Sequence, residues 1–204
     1  MTSTTKKQPG RHRPGGRTAR TTERIHAAVI DLLVSEGHGA CTLGRVADLS
    51  GLQRSTLYRR YADRWDMIIQ AYQAKASKEV DVEPTGDFLG DFRTVLTRFV
   101  ENFSGPLGHA MMSVVFAVRG TPEEKYVDRF MAVRLVEFEP IFEAAIKAGS
   151  IDPATESREV IERAAGAAIF RLFVEGLPVD QDWIDRMIAA LDRLYSPAAK
   201  ETAS

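Results

Sequence analysis

Residues 46–61, VADLSGLQRSTLYRRY, constrain this chain more than any other stretch. A short segment with Val46, Ala47 and Leu49 turned inward runs into Ser50-Gly51, and a second segment begins at once at Gln53. Glycine reaches the left-handed backbone that ends a helix sharply. Leu57 and Tyr61, four apart, fall on one side of a helix and face a core. The other side carries Arg54, Ser55, Thr56, Tyr58, Arg59 and Arg60. The pattern predicts two short helices around a tight turn, the second of them cationic on its outer face. A helix of that kind fits the major groove of duplex DNA, with its first residues nearest the base edges.

The charge distribution agrees. Residues 1–64 hold 12 Lys and Arg against 5 Asp and Glu, a net of +7, whereas residues 65–204 hold 15 against 23, a net of −8. The near-neutral total of −1 therefore hides a basic third joined to an acidic remainder. Such asymmetry suits a chain of which one part meets a polyanion.

The remaining pattern is helical throughout. Residues 1–20 carry Lys6, Lys7, Arg11, Arg13, Arg17 and Arg20 with almost no large apolar residue, which predicts a disordered basic arm. A first helix is expected from Thr21 or Thr22, with Ile25, Val29, Leu32 and Leu33 inward and Gly37 and Gly39 at its end. Thr42 caps the second helix, Leu43 to Leu49, and the third spans Gln53 to Tyr61. Asp63 and Asp66 read as the capping pair of a fourth helix running to about Ser77. Residues 78–87, with Pro84 and Gly86, read as a loop between two parts. Beyond it five more helices are expected. The first carries the stripe Phe88 to Phe103. The next runs from Leu107 to Val118, and a longer one opens at Pro122, contains Pro140 and stops at Gly149. Thr155 to Val174 and Asp180 or Gln181 to Tyr195 complete the set. The fold class is all-α with about nine helices. Its parts are a basic arm (1–20), a helix-turn-helix domain with its linking helix (21–77), a C-terminal helical domain (78–196) and a tail (197–204).

Residues 21–75 resemble the DNA-binding domain of the TetR family of bacterial transcriptional regulators. The resemblance rests on Ile25, Ala28 and Leu32, on Thr42, Val46 and Ala47, on Gly51, and on TLYRRYADRWDM from Thr56 to Met67. In that string Tyr61, Arg64 and Met67 stand where the family has Phe, Lys and Leu. Three departures leave the DNA sequence preference open. Gln53 replaces a habitual Ser and is a poorer helix cap. Ser55 stands where a smaller residue is common. Gly44 replaces a larger residue, weakening the second helix by up to ~1 kcal/mol.

By chemistry, Arg54 and Gln53, with Ser55, suit base edges, since Arg pairs with guanine and Gln with adenine through two bonds each. Thr56 suits a phosphate or a thymine methyl. The resemblance makes Thr42 and Tyr58 phosphate contacts, and Arg59, Arg60 and Arg64 supply charge toward the backbone.

For the C-terminal half the resemblance implies a helical domain that dimerises and often binds a small effector. The dimer face is expected on Ile161, Ala164, Ala165, Ala168, Ile169 and Leu172 of one helix. Trp183, Ile184, Met187, Ile188 and Leu191 of the last complete it. Small residues there permit close approach, and two helices from each subunit make a four-helix contact. Phe99, Phe103, His109, Met112, Phe116, Tyr126 and Phe130 are expected to line an apolar effector pocket. Met and aromatic side chains suit an adaptable pocket and an ordinary core alike.

Enzymatic function has little support. His12, His26, His38 and His109 are scattered, Cys41 is alone, and no phosphate-binding loop or metal-ligand spacing occurs. No cofactor or metal is expected. No apolar run approaches the roughly 20 residues of a membrane span, no signal segment is visible, and the compartment expected is the cytoplasm. The expected function is a ligand-responsive repressor that binds a palindromic operator as a homodimer. The rival is a helical adaptor that kept the motif without specific DNA binding. The retained Arg54, Tyr58, Arg59 and Arg60 argue against it.

Overall fold

A computed structural model describes residues 15–79 and 82–197. Nine α-helices account for most of them, and no strand occurs among the described residues. The helices are α1 (Gly15–Glu36), α2 (Leu43–Ser50), α3 (Arg54–Arg60), α4 (Arg64–Glu79), α5 (Phe88–Ser104), α6 (Pro106–Val118), α7 (Glu124–Ala148), α8 (Ser157–Ile169) and α9 (Gln181–Tyr195).

Several boundaries differ from expectation. α1 begins at Gly15, so the last part of the expected arm is helical, and residues 1–14 lie outside the described residues. Thr22 does not cap the helix. Its hydroxyl donates to the carbonyl of Thr18 at 3.0 Å, as a Thr inside a helix can. Leu49 is 59% exposed and does not face the core, because α2 turns Leu43, Val46, Ala47 and Ser50 inward instead. α7 contains Pro140 and stops at Gly149 as expected, but it starts at Glu124, past Pro122. α8 ends at Ile169, and a π-helical turn over Phe170–Val174 replaces the last part of the expected helix. The tail beyond Pro197 is outside the described residues.

The side chains form two apolar cores. The first gathers Ile25, Val29 and Leu33 of α1, Val46 of α2, Leu57 of α3, and Met67 and Ile68 of α4. It is not confined to the N-terminal part: Met111, Val114 and Val118 of α6 and Tyr126 and Val127 of α7 belong to it. The second core packs α5 against α7, α8 and α9 through Phe88, Phe92, Phe142, Val160, Ile184 and Leu191.

Two glycines are required by geometry. Gly51 has φ 62°, and a β-carbon there would come within 2.9 Å of the Arg24 guanidinium, which itself donates to the Ser50 carbonyl. Gly108 of α6 lies so close to the end of α5 that a β-carbon would stand 2.4 Å from Cα of Phe103.

Cys41 is fully buried in the first core. Burial pushes its thiol up from 9.0 to about 11. The fold thus favours the neutral thiol. That preference is fully present below pH 9.0 and is lost as pH rises to about 11. Chemical denaturation between pH 8 and 11 should therefore show wild type losing stability relative to Cys41→Ala as pH increases. A pH-independent difference would mean the thiol does not sense its burial.

Candidate nucleic-acid interface

The recognition surface is built from α2, the turn and α3. At the start of α2, Thr42 accepts the Arg45 N–H at 3.2 Å through Oγ1. Its hydroxyl is exposed, so its own proton remains available to an outside acceptor. Gly51 ends α2, and the Leu52 N–H returns to the Ala47 carbonyl at 2.9 Å. α3 starts without a side-chain cap, as Gln53 predicts. Its one fully buried residue is Leu57, and Tyr61 follows as the buried residue that ends it.

This anchoring dictates what faces out. Gln53, Arg54, Ser55, Tyr58 and Arg59 are all exposed, Tyr58 by 66%. An aromatic side chain left this open on a short helix has no packing role in the protomer. Thr56, Arg60 and Arg64 are only half exposed. Arg60 donates to Thr22 Oγ1 at 2.9 Å and so ties α3 to α1. The Arg64 guanidinium lies 4.3 Å from the Trp65 ring centre.

Two residues shape this surface in ways the sequence does not announce. Asp48 holds Arg54 at 2.9 Å, six positions across the turn, a spacing that no helical periodicity announces. Gly44 lies under the same guanidinium, where a β-carbon would touch its carbon at 3.5 Å. Arg45, beside them, is paired with Glu36, with Nη1 to Oε2 at 2.7 Å.

A second feature lies between α4, α5, α6 and α7. It is a cavity of about 290 Å³ lined by Phe99, Phe103, Met112 and Phe130, as the sequence suggested, and by Ile69, Tyr72 and Ala76 of α4, which it did not. Three expected lining residues are elsewhere. Phe116 is 67% exposed. His109 packs on Phe173 at 4.9 Å between ring centres. Tyr126 is buried in the first core, with its hydroxyl on Asp63. α6 is apolar on nearly every side, so periodicity does not identify its inward face. Arg119 and Arg134 reach the cavity already paired, with Asp128 and Glu137.

The expected dimer residues divide. Ala164, Ala168, Ile184, Ile188 and Leu191 are buried inside the protomer and offer a partner almost no surface. Ile161, Ala165, Ile169, Leu172, Trp183 and Met187 stay half exposed. Beside them Phe170, Val174 and Leu194 are exposed by 53, 67 and 50%. α9 carries two neighbouring apolar stripes, and Trp183, Met187, Ala190 and Leu194 form the outer one. Among the described residues no group of His, Cys, Asp and Glu could hold a metal, and no helix is long and apolar enough to cross a membrane.

The chain is similar to known proteins in sequence and in fold. Residues 82–191 match the family described as tetracyclin repressor-like, C-terminal domain. The HTH-type transcriptional regulator AqdR of Rhodococcus erythropolis is 29% identical over 168 residues, 80% of this chain and 79% of that one. YdeS of Bacillus subtilis, also an HTH-type transcriptional regulator, is 24% identical over 200 residues, 96% of this chain and 99% of its own. The crystal structure of the TetR family regulator SCO0332 superposes with a TM-score of 0.74 at 23% identity, covering 85% of this chain and 97% of that one.

The geometry separates two kinds of arginine. Arg54→Ala should relax preference at one base position. Arg64→Ala should weaken all duplexes alike and reduce the slope of log affinity against log salt by about 0.9. Binding measured on single-base variants of a selected duplex, at several salt concentrations, distinguishes them. The reverse pattern would show the contacts wrongly assigned.

Proposed function

This chain belongs to the TetR family of transcriptional regulators, and from that premise we propose that it is a ligand-responsive repressor binding a palindromic operator as a homodimer. That it is a DNA-binding transcriptional regulator, and not an enzyme, follows from the family itself. The observation that carries the finer reading is the one-sided burial of α3. Leu57 is fully buried, while Gln53, Arg54, Ser55, Tyr58 and Arg59 are left to solvent on a basic third of the chain.

In this reading Arg54, Gln53 and Ser55 address base edges. Thr42, Thr56 and Tyr58 hold phosphates, and Arg59, Arg60 and Arg64 add charge. Arg60 does so while also bracing α3 against α1. A seven-residue helix is about 10 Å long and spans few base pairs. Specificity then calls for a second copy, set on half-sites roughly 34–36 Å apart or a multiple of that. The half-exposed and exposed apolar residues of α8, the π-turn and α9 supply a face for it, and TetR regulators bind DNA as dimers.

The cavity supports a ligand that is small, apolar and uncharged. Its walls are aromatic and Met-rich, and both guanidiniums at its edge are neutralised by carboxylates of their own. A ligand that prefers a conformation with the wrong half-site spacing lowers DNA affinity by that preference. α4 lines the cavity and follows α3, so it is the element that carries the change.

Selection of bound sequences from a random duplex pool by the purified chain should enrich a palindrome. Leu194→Asp with Met187→Asp should yield a monomer in sedimentation and lose most affinity for that palindrome. Enrichment of a non-repeated sequence, or tight binding by the monomer, would overturn the dimer reading.

A further inference from the structure

The corner between α3 and α4 is held from outside its own domain. Asp63 caps α4 through Oδ1, which accepts the N–H groups of Trp65 at 2.8 Å and Asp66 at 3.0 Å. Its other oxygen, Oδ2, accepts the hydroxyl of Tyr126 from α7 at 2.8 Å. Tyr126 is 5% exposed, and burial with the bond to Asp63 pushes its phenol up to about 12, so it remains a donor. Asp66 completes the corner by accepting the Ala62 N–H at 3.1 Å. Asp63 stands three residues after the last residue of α3. A bond at Asp63 therefore bears directly on how the recognition helix is aimed.

A second bond joins the same two helices further along. Ser77 of α4 donates to Glu137 of α7 at 2.6 Å, and Glu137 is also held by Arg134. Between the two ties, Ile69, Tyr72 and Ala76 on α4 face the cavity together with Val127, Phe130 and Met131 on α7. The cavity is thus bracketed by polar bonds, one of which ends at Asp63, three residues beyond α3. An occupant that parts α4 from α7 loads both.

We propose that Tyr126 is a positioning residue for DNA recognition: its hydroxyl, acting through Asp63, fixes the angle of α3 and links that angle to the cavity. The inference rests on the reading that α3 meets DNA. A hydrogen bond to a carboxylate is among the stronger kinds, and its loss leaves a half-buried Asp63 oxygen without its partner. The bond adds no charge to the DNA-facing surface, so it contributes nothing to nonspecific attraction. Its loss should therefore appear in discrimination.

The test uses the full chain and the duplex that wild type selects from a random pool, with a scrambled duplex of equal length and composition beside it. Tyr126→Phe should bind the selected duplex about tenfold more weakly and the scrambled duplex as wild type does. Asp63→Ser keeps one cap oxygen for the Trp65 and Asp66 amides and lacks the second oxygen that accepts from Tyr126. The lost charge acts on both duplexes alike, so the ratio between them should fall as it does in Tyr126→Phe, and in the double variant it should fall no further than in either alone. Folded variants with an unchanged ratio between the two duplexes would overturn the proposal, as would an equal fall on both or strictly additive losses. If wild type itself prefers no duplex, the DNA-binding reading of α3 fails. That outcome is distinct from the tie failing, in which wild type discriminates and the variants do so equally well.

Discussion

The burial of Leu57 is the constraint on which the recognition surface depends. α3 has seven residues, too few to be helical in isolation. It exists because Leu57 and Tyr61 fill a core built by α1, α2 and α4, and because Gly51 lets the chain turn tightly enough to bring them there. Once those two side chains are placed, the face that α3 turns outward is set. Gln53, Arg54, Ser55, Tyr58 and Arg59 are then presented together on the far side.

Under the proposed function, electrostatics govern how that surface meets DNA. Arg54 is engaged with Asp48 and Arg45 with Glu36, and both pairs are well exposed. Exposed ion pairs are worth at most about 1 kcal/mol, so a guanine edge or a phosphate can displace the carboxylate without a large penalty. Asp48 keeps Arg54 ordered over Gly44 until then. The first core extends into α6 and α7, so α1 to α4 share packing with the walls of the cavity. In the proposed mechanism no separate linker has to transmit a change between cavity and α3.

Much of this was legible in the residues. The α2 cap, the turn, the extent of α3 and the Asp63 cap of α4 follow from local chemistry that tertiary packing does not override. Leu49 was misplaced because an eight-residue helix has too few turns for its apolar side to be read securely. The start of α1 was missed because Thr at 21 and 22 serves a helix interior as readily as a cap once packing supports it. The cavity was half legible. Phe99, Phe103, Met112 and Phe130 line it, but an all-apolar α6 gives no phase for Phe116 and His109. α4 reads as a linking helix, and nothing in its spacing marks Ile69, Tyr72 and Ala76 as cavity wall. On α8 and α9, apolar positions within the protomer and apolar positions open to a partner sit one residue apart, and composition does not separate them.

The most direct test of the account is amide hydrogen exchange of the full chain with and without the duplex it selects. Duplex-dependent protection is expected only at the start of α2, the turn and α3, with α5 and the exposed face of α6 unchanged. Protection centred on α8 and α9, or none within residues 42–62, would contradict it.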